Sequence, residues 1–228
     1  MKYVLFDLDG TITDPKVGIT KSVQYALKQF GIEVTDLDSL CPFIGPPLYQ
    51  SFENFFGFSH DQALKAVEQY RVYYRDTGIF ECTVYEGIPG LLKELHENGV
   101  IVMLATSKPE EYAIRLLKHF KIDEYFDLVA GSTMSGSRIE KEDIIKYAME
   151  QATGADEINA FDVTQAYMVG DRKFDYIGAV KFGMPCILIG YGYGELEELK
   201  ACAPYAIKMT VKELSEFLLN EMKHTDVK

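Results

Sequence analysis

The stretch Tyr3-Val4-Leu5-Phe6-Asp7-Leu8-Asp9-Gly10-Thr11-Ile12-Thr13 decides how this chain folds. Its first four residues are apolar and predict a buried strand. Asp7 and Asp9 are two residues apart, so they point to the same side of an extended backbone, and Gly10 and Thr11 follow as turn residues. Two like charges this close are costly unless a cation lies between them. The run therefore predicts a strand that ends at a site for a hard divalent cation, with an ordinary Asp-Gly turn as the alternative.

The composition limits the classes of partner. The 228 residues are 47% hydrophobic, enough for one large domain or for a core with a smaller insert. The formal net charge of -12 argues against a nucleic acid or a membrane as partner. The same charge repels an anionic substrate, so a phosphate site must be made attractive locally, by a metal, a lysine or helix N-termini.

The cysteines and the chain start bear on the compartment. Cys41, Cys82, Cys186 and Cys202 lack the spacing of a metal site. No secretory signal and no run as long as a membrane span is visible. We expect a reduced cytoplasmic protein.

The secondary-structure pattern changes along the chain. Between Lys16 and Phe80 we predict only helices, at residues 16–30, 48–55 and 61–75. The continuous apolar run Val100-Ile101-Val102-Met103-Leu104-Ala105 is typical of a strand that is buried on both faces. Further strands then alternate with helices, which predicts an α/β fold with a parallel sheet and helices on both faces. We assign residues 1–14 and 86–228 to this core and residues 15–85 to an inserted all-helical domain.

Polar residues follow several of the predicted strands. Ligands of parallel sheets bind beyond the carboxyl ends of the strands, so these residues are expected to meet at one edge. The residues that follow strands are Asp7, Asp9, Thr106, Ser107, Lys108, Asp171, Arg172 and Asp175, and those that precede the predicted helix at Lys141 are Ser135, Gly136, Ser137 and Arg138. Carboxylates, hydroxyls and a lysine together suit phosphoryl transfer, in which positioning and electrostatics carry most of the catalysis.

Four motifs resemble those of the haloacid dehalogenase superfamily of aspartate-nucleophile phosphatases, over essentially the whole chain. They are Asp7-Leu8-Asp9-Gly10-Thr11, Thr106 at a strand end, Lys141, and Gly170-Asp171-Arg172-Lys173-Phe174-Asp175. Ser107 stands where many relatives have asparagine. The resemblance implies a Rossmann-like core with a helical cap of class 1. Within the superfamily the chain is most similar to the phosphoglycolate phosphatase branch, including its 5'-nucleotidase relatives.

The resemblance also implies roles for the acids. Asp7 would attack phosphorus and form an aspartyl phosphate, and Asp9 would act as general acid and then as general base. Mg2+ would be held by Asp7, by the backbone carbonyl of Asp9 and by Asp171. Asp175 would bind the metal or orient its ligands.

Thr106 and Lys141 would neutralise the phosphoryl oxygens, helped by the backbone of Ser107. Each of these motif residues also has a simpler interpretation. Thr106 could be a plain strand end and Lys141 a solvated lysine. Asp171 could cap the next helix and Asp175 could be an exposed acid.

Other candidates receive weaker assignments. Lys108 and Arg172 are interpreted as surface charges, and the Gly190–Gly194 run as a flexible loop. No role is assigned to the histidines, which are His60, His96, His119 and His224. Most aromatic residues of the inserted domain are expected in its own core. Its candidate cations for a second anionic group of a substrate are Lys16, Lys21, Arg71 and Arg75.

The sequence thus predicts a Mg2+-dependent phosphomonoesterase that acts on a small phosphate ester such as phosphoglycolate or a nucleoside 5'-monophosphate. The enzymatic alternative is a phosphomutase similar to β-phosphoglucomutase, which uses the same pair of aspartates. The non-enzymatic alternative is a phosphate-binding regulatory protein. A dehalogenase proper is disfavoured, because displacement of a halide does not need Asp9. We expect a monomer or a homodimer.

Overall fold

The computed structural model describes residues 1–135, 137–154, 158 and 160–223. The chain divides into two compact units. One is formed by Met1–Thr13 and Val84–Lys228, and the other by Asp14–Thr83. The domain boundaries assigned from the sequence lie within two residues of this division. We call the first unit the core unit and the second the helical unit.

The described residues contain eight strands. They are β1 Tyr3–Phe6, β2 Thr13–Asp14, β3 Thr83–Val84, β4 Ile101–Pro109, β5 Leu128–Ser132, β6 Ala166–Gly170, β7 Cys186–Ile189 and β8 Ala206–Lys208. Six of them form a sheet in the order β5-β4-β1-β6-β7-β8, in which all neighbouring strands are parallel. The prediction of a parallel α/β sheet is confirmed. Strands β2 and β3 form a separate two-stranded sheet, which the sequence did not predict.

The register of the sheet aligns the strand ends that matter for the site. Strand β1 lies between β4 and β6, and Phe6 is opposite both Leu104 and Val169. The residues that follow Phe6, Leu104 and Val169 therefore lie side by side toward the carboxyl edge of the sheet. Strands β4 and β5 are added on one side of β1, and β6, β7 and β8 are added on the other side. Open α/β sheets bind ligands at the position where the strand order reverses in this way.

Helices connect the parallel strands, because such strands need crossover connections. Those of the core unit are α4 Ile88–Glu97, α5 Glu110–Phe120, α6 Lys141–Thr153, α7 Lys173–Val180, α8 Leu196–Ala201 and α9 Val211–Lys223. Tyr3 and Leu5 pack in one cluster with Ile144 and Ile145 of α6. Val4, whose side chain alternates to the opposite face, is also fully buried, so both faces of the sheet are covered. None of the helices in the described residues is long and apolar enough to span a bilayer.

The helical unit consists of α1 Lys16–Gln29, α2 Leu48–Phe56, α3 His60–Tyr74 and two 3-10 helices, Leu37–Phe43 and Gly78–Phe80. Gly57 ends α2 in the left-handed region, and Ser59 opens α3 with a capping box. Phe43 and Phe52 are buried in edge-to-face contact, whereas Phe55 remains half exposed.

Three of the candidate cations of the helical unit already have partners within it. Lys16 pairs with Asp38 at 2.8 Å and Lys21 with Glu81 at 2.6 Å. Arg75 pairs with its neighbour Asp76 at 2.9 Å. Arg71 is the remaining candidate of that set, and the structure gives no ion pair for it among the described residues.

Candidate active site

Three carboxylates meet at the carboxyl edge of the sheet. Asp7 follows β1, Asp171 follows β6, and Asp175 lies in the first turn of α7, each at most 7% exposed. One carboxylate oxygen from each lies within 4.8 Å of the others. Asp171 Oδ2 accepts a hydrogen bond from the Tyr193 backbone N–H at 2.7 Å, whereas its buried Oδ1 has no hydrogen-bond partner among the described residues. Carboxylate oxygens are the preferred ligands of hard divalent cations, so this group could hold one.

Lys141 joins two of these acids. It is the first residue of α6 and is only 6% exposed. Its ammonium lies 3.0 Å from Asp7 Oδ1 and 2.8 Å from Asp175 Oδ1, and it donates to the Ala105 carbonyl at 2.9 Å. The interpretation of Lys141 as a solvated lysine is therefore excluded. Burial alone would lower the pKa of Lys141, but Asp175 and Asp7 outweigh burial and raise it.

The negative charges of these acids lie close together at this edge. Burial, together with the charges of Asp175 and Asp7, raises the pKa of Asp171 well above its ordinary value. Burial also raises the pKa of Asp175 to about 6, despite the ion pair with Lys141. Such crowding is what a bound divalent cation would relieve.

Asp9 lies outside this group and has a partner of its own. Its Oδ2 is 2.7 Å from the ammonium of Lys108, and the two side chains are 14% and 3% exposed. Burial raises the pKa of Asp9, and Lys108 offsets part of that rise. The interpretation of Lys108 as a surface charge is therefore wrong. A buried lysine needs a carboxylate partner, and the sequence carries no signal that this lysine is buried.

The residues of the second motif lie on β4, which extends past the predicted end at Ala105 to Pro109. Thr106 is 1% exposed, and its hydroxyl accepts a hydrogen bond from the Lys108 backbone N–H at 3.2 Å. Ser107 is half-buried beside it. The motif thus reaches the same edge of the sheet as Asp7.

The segment Gly190–Gly194, interpreted from the sequence as a loose loop, packs on the acidic group. Besides the bond from Tyr193 to Asp171, Tyr191 donates its hydroxyl proton to the Thr11 carbonyl at 3.0 Å. A Cβ at Gly192 would lie 2.4 Å from Asp171 Cβ, so the segment approaches too closely for any side chain. Its alternating glycines are the sequence signal for such an approach.

The other sequence candidates lie outside the acidic group. Arg172 is only 15% exposed and lies 3.6 Å from Glu198, so it is not a surface charge either. Its backbone N–H donates to Asp175 Oδ2 at 3.1 Å and so helps to fix that acid, which is not exposed as the alternative required. Arg138 pairs with Glu110 at 2.7 Å. Gly136 and His224 lie outside the described residues.

A family model for haloacid dehalogenase-like hydrolases matches residues 4–189. The chain belongs to this family. A 5'-nucleotidase of Pseudomonas aeruginosa is 43% identical over 201 residues, which are 88% of each chain. The tyrosine-protein kinase PtkA of Mycobacterium tuberculosis is 34% identical over 94% of this chain and 72% of its own. A phosphoglycolate phosphatase of Pseudomonas fluorescens is 28% identical over 84% of this chain and 70% of its own.

The crystal structure of a predicted phosphatase from Clostridium acetobutylicum has a TM-score of 0.90 and 44% identity, covering 96% of this chain and 98% of its own. The resemblance inferred from the four motifs is therefore confirmed, as is the prediction that the chain is a phosphatase of this family.

Proposed function

We propose that this chain is a Mg2+-dependent phosphomonoesterase that hydrolyses a small phosphorylated metabolite through an aspartyl phosphate on Asp7. The observation that carries the proposal is the different surroundings of the two motif aspartates. Asp7 lies among acids that could hold a metal, beside Lys141. Asp9 lies apart from them on Lys108. Two carboxylates in distinct environments suit two distinct roles, one as nucleophile and one as acid and base.

In the first step, the Asp7 carboxylate attacks phosphorus and the bond from phosphorus to the ester oxygen breaks. Asp9, in its protonated form, gives its proton to the leaving oxygen, so the alcohol departs neutral. The raised pKa of Asp9 favours the protonated form that this step requires. Thr106, Lys141 and the backbone of Ser107 bind the phosphoryl oxygens and orient them for attack.

In the second step, Asp9 accepts a proton, whereas in the first step it donates one. The Asp9 carboxylate removes a proton from water, which attacks the phosphorus of the aspartyl phosphate. The bond between Asp7 and phosphorus breaks, inorganic phosphate leaves, and both carboxyl groups return to their starting states.

Asp7, Asp171 and Asp175, with the backbone carbonyl of Asp9, would hold the Mg2+ ion. The buried Oδ1 of Asp171 supports this ligand set, because nothing else among the described residues satisfies that oxygen. When bound, the ion supplies positive charge that neutralises the phosphoryl oxygens.

Two of the relatives support a choice of substrates to test first. The 43% identity to a 5'-nucleotidase makes nucleoside 5'-monophosphates the first substrates to test, and phosphoglycolate the second. We assign the helical unit, residues 14–83, as the cap that selects among phosphate esters.

The test is hydrolysis of p-nitrophenyl phosphate with Mg2+ and with a chelator, followed by a panel of phosphorylated metabolites. We expect phosphate release that depends on Mg2+, and a loss of at least about 10³-fold in Asp7→Asn, since no other group replaces the nucleophile. Asp123→Asn, at an exposed acid of the core unit, is the matched control and should retain activity.

Two further results would decide between this proposal and its alternatives. Borohydride reduction of the intermediate should modify the peptide that contains Asp7. Full activity of Asp7→Asn would refute the nucleophile assignment. An isomerised phosphate ester without release of phosphate would instead identify a phosphomutase.

A further inference from the structure

The carboxyl end of β4 is irregular where it passes the site. Thr106 is opposite Gly131 of β5, but the next paired residues are Pro109 and Ser132. Three steps along β4 thus match one step along β5, so Ser107 and Lys108 bulge out of the regular ladder. A bulge changes the direction of the side chains that follow it, and such bulges occur beside active sites. The backbone N–H of Lys108 donates to the Thr106 hydroxyl, which closes the bulge.

The bulge is held from the side of β5. A Cβ at Gly131 would lie 2.6 Å from the Glu110 nitrogen and 2.8 Å from the Lys108 carbonyl oxygen, so only glycine permits this approach. The backbone N–H of Gly131 donates to Glu110 Oε2 at 3.2 Å, and Arg138 pairs with the same oxygen at 2.7 Å. The backbone that carries Lys108 is therefore fixed by its neighbours.

The fixed backbone directs the Lys108 ammonium to Asp9. The Nζ atom is 2.7 Å from Oδ2, and both side chains are largely buried. The other oxygen, Oδ1, has a long contact of 3.5 Å with the Thr13 hydroxyl, which also reaches the Leu8 carbonyl at 3.3 Å. Lys141 pairs with Asp7 and Asp175 instead. The two buried lysines thus take different carboxylates.

We propose that Lys108 is the positioning residue for Asp9, holding its carboxyl group apart from the metal-binding acids and presenting it to the leaving oxygen of the substrate. This inference rests on the proposed function, in which Asp9 transfers the proton. Lys108 itself transfers none. Its ammonium fixes one oxygen of Asp9 and leaves the other, which is only weakly held, to face the reaction.

The proposal predicts an effect that depends on the leaving group. p-Nitrophenolate leaves without prior protonation, whereas phenolate and alkoxides need the proton of a correctly placed acid. In Lys108→Met, kcat/KM should fall by about 10²-fold for phenyl phosphate and an alkyl phosphate, but by less than about tenfold for p-nitrophenyl phosphate. Lys108→Arg, which keeps a cation, should restore part of the loss for the poorer leaving groups.

The experiment measures kcat/KM for the three esters with Mg2+ in wild type, Lys108→Met, Lys108→Gln, Lys108→Arg and Asp9→Asn. Lys108→Gln keeps a hydrogen-bond donor for Asp9 and serves if Lys108→Met does not fold. Lys146→Met, at a lysine whose side chain is 56% exposed on α6, is the control for the loss of one positive charge. The double variant Lys108→Met with Asp9→Asn should be about as slow as Asp9→Asn alone.

An equal loss for all three esters, or no loss, would overturn the proposal. So would a double variant that is slower than Asp9→Asn by the full Lys108→Met factor. Asp9→Asn separates this failure from that of the proposed function. If Asp9→Asn itself shows no dependence on the leaving group, the acid is misassigned. If it does and the Lys108 variants do not, only the role of Lys108 is refuted.

Discussion

Lys141→Met removes the ammonium that joins Asp7 and Asp175 while keeping much of the apolar side chain. In the core unit this ammonium lies 3.0 Å and 2.8 Å from the two carboxylates, and all of these groups are buried. Without the lysine, two carboxylates face each other with no cation between them. Breaking a buried ion pair in this way costs about 3–5 kcal/mol, because the remaining charge is uncompensated.

That cost can be converted to a melting temperature. For a protein of this size, 1 kcal/mol corresponds to about 2–4 °C, so Lys141→Met should melt about 6–20 °C below wild type without metal. The same carboxylates could hold a divalent cation, so Mg2+ should restore more of the melting temperature in Lys141→Met than it adds to wild type. Phosphatase activity should fall by at least about 10²-fold even with Mg2+, because a cation beside the phosphoryl oxygens is lost.

The assay is thermal unfolding in a chelator and in Mg2+, together with hydrolysis of p-nitrophenyl phosphate. Lys146→Met is the matched control on the same helix. Its partner Glu150 is 3.5 Å away at the surface, so its melting temperature should stay within about 2 °C of wild type. If Lys141→Met without metal melts as high as Lys146→Met, the assigned electrostatic role of Lys141 is refuted.

Two further predictions concern the metal. Burial raises the pKa of Asp175 from 3.8 to about 6, so without metal the neutral carboxyl stabilises the fold at low pH and this contribution is lost as the pH rises through about 6. Mg2+ needs the ionised form, so Mg2+ at 100 times its Kd should raise the melting temperature by about 5–11 °C at pH 7.5 and far less at pH 5. An equal shift at both pH values would contradict this sign. Gly10→Ala, whose Cβ would lie 2.1 Å from Asp171 Oδ2, should lose both the Mg2+ shift and activity. Gly99→Ala has the same left-handed backbone and no atom within 4 Å of its Cβ, so it should keep both; equal behaviour of the two variants would exclude the steric cause.

The sequence predicted the regular elements well, because their signals are local. The alternation of helices and strands after residue 86 and the helices of residues 16–75 follow from apolar periodicity and from caps such as Ser59. The end of β4 was not predicted, because the polar residues Thr106 and Lys108 do not look like a buried strand. Their position depends on Gly131, which is distant in sequence and lacks the Cβ atom that would collide with the bulge.

The candidate site likewise contains residues that the sequence predicted and contacts that it did not. Asp7, Asp171 and Lys141 were expected together, because each follows a strand or begins a helix at the carboxyl edge of a parallel sheet. The contribution of the Tyr193 backbone was not expected, since any residue carries an N–H and the sequence shows no sign of where it points. Lys108 was misinterpreted because burial of a lysine is a property of its surroundings.

By itself, the sequence determined the family and the parallel α/β sheet, and it identified the candidate aspartates of the site, because these depend on local pattern and on residue type. Only the tertiary structure decided the charges around each aspartate. Lys141 lies with Asp7, and Lys108 lies with Asp9, although 134 and 99 residues separate the members of these pairs. Which lysine meets which carboxylate depends on strand order and on one bulge. The interaction of two charges depends on their distance and burial, neither of which can be read from position along the chain.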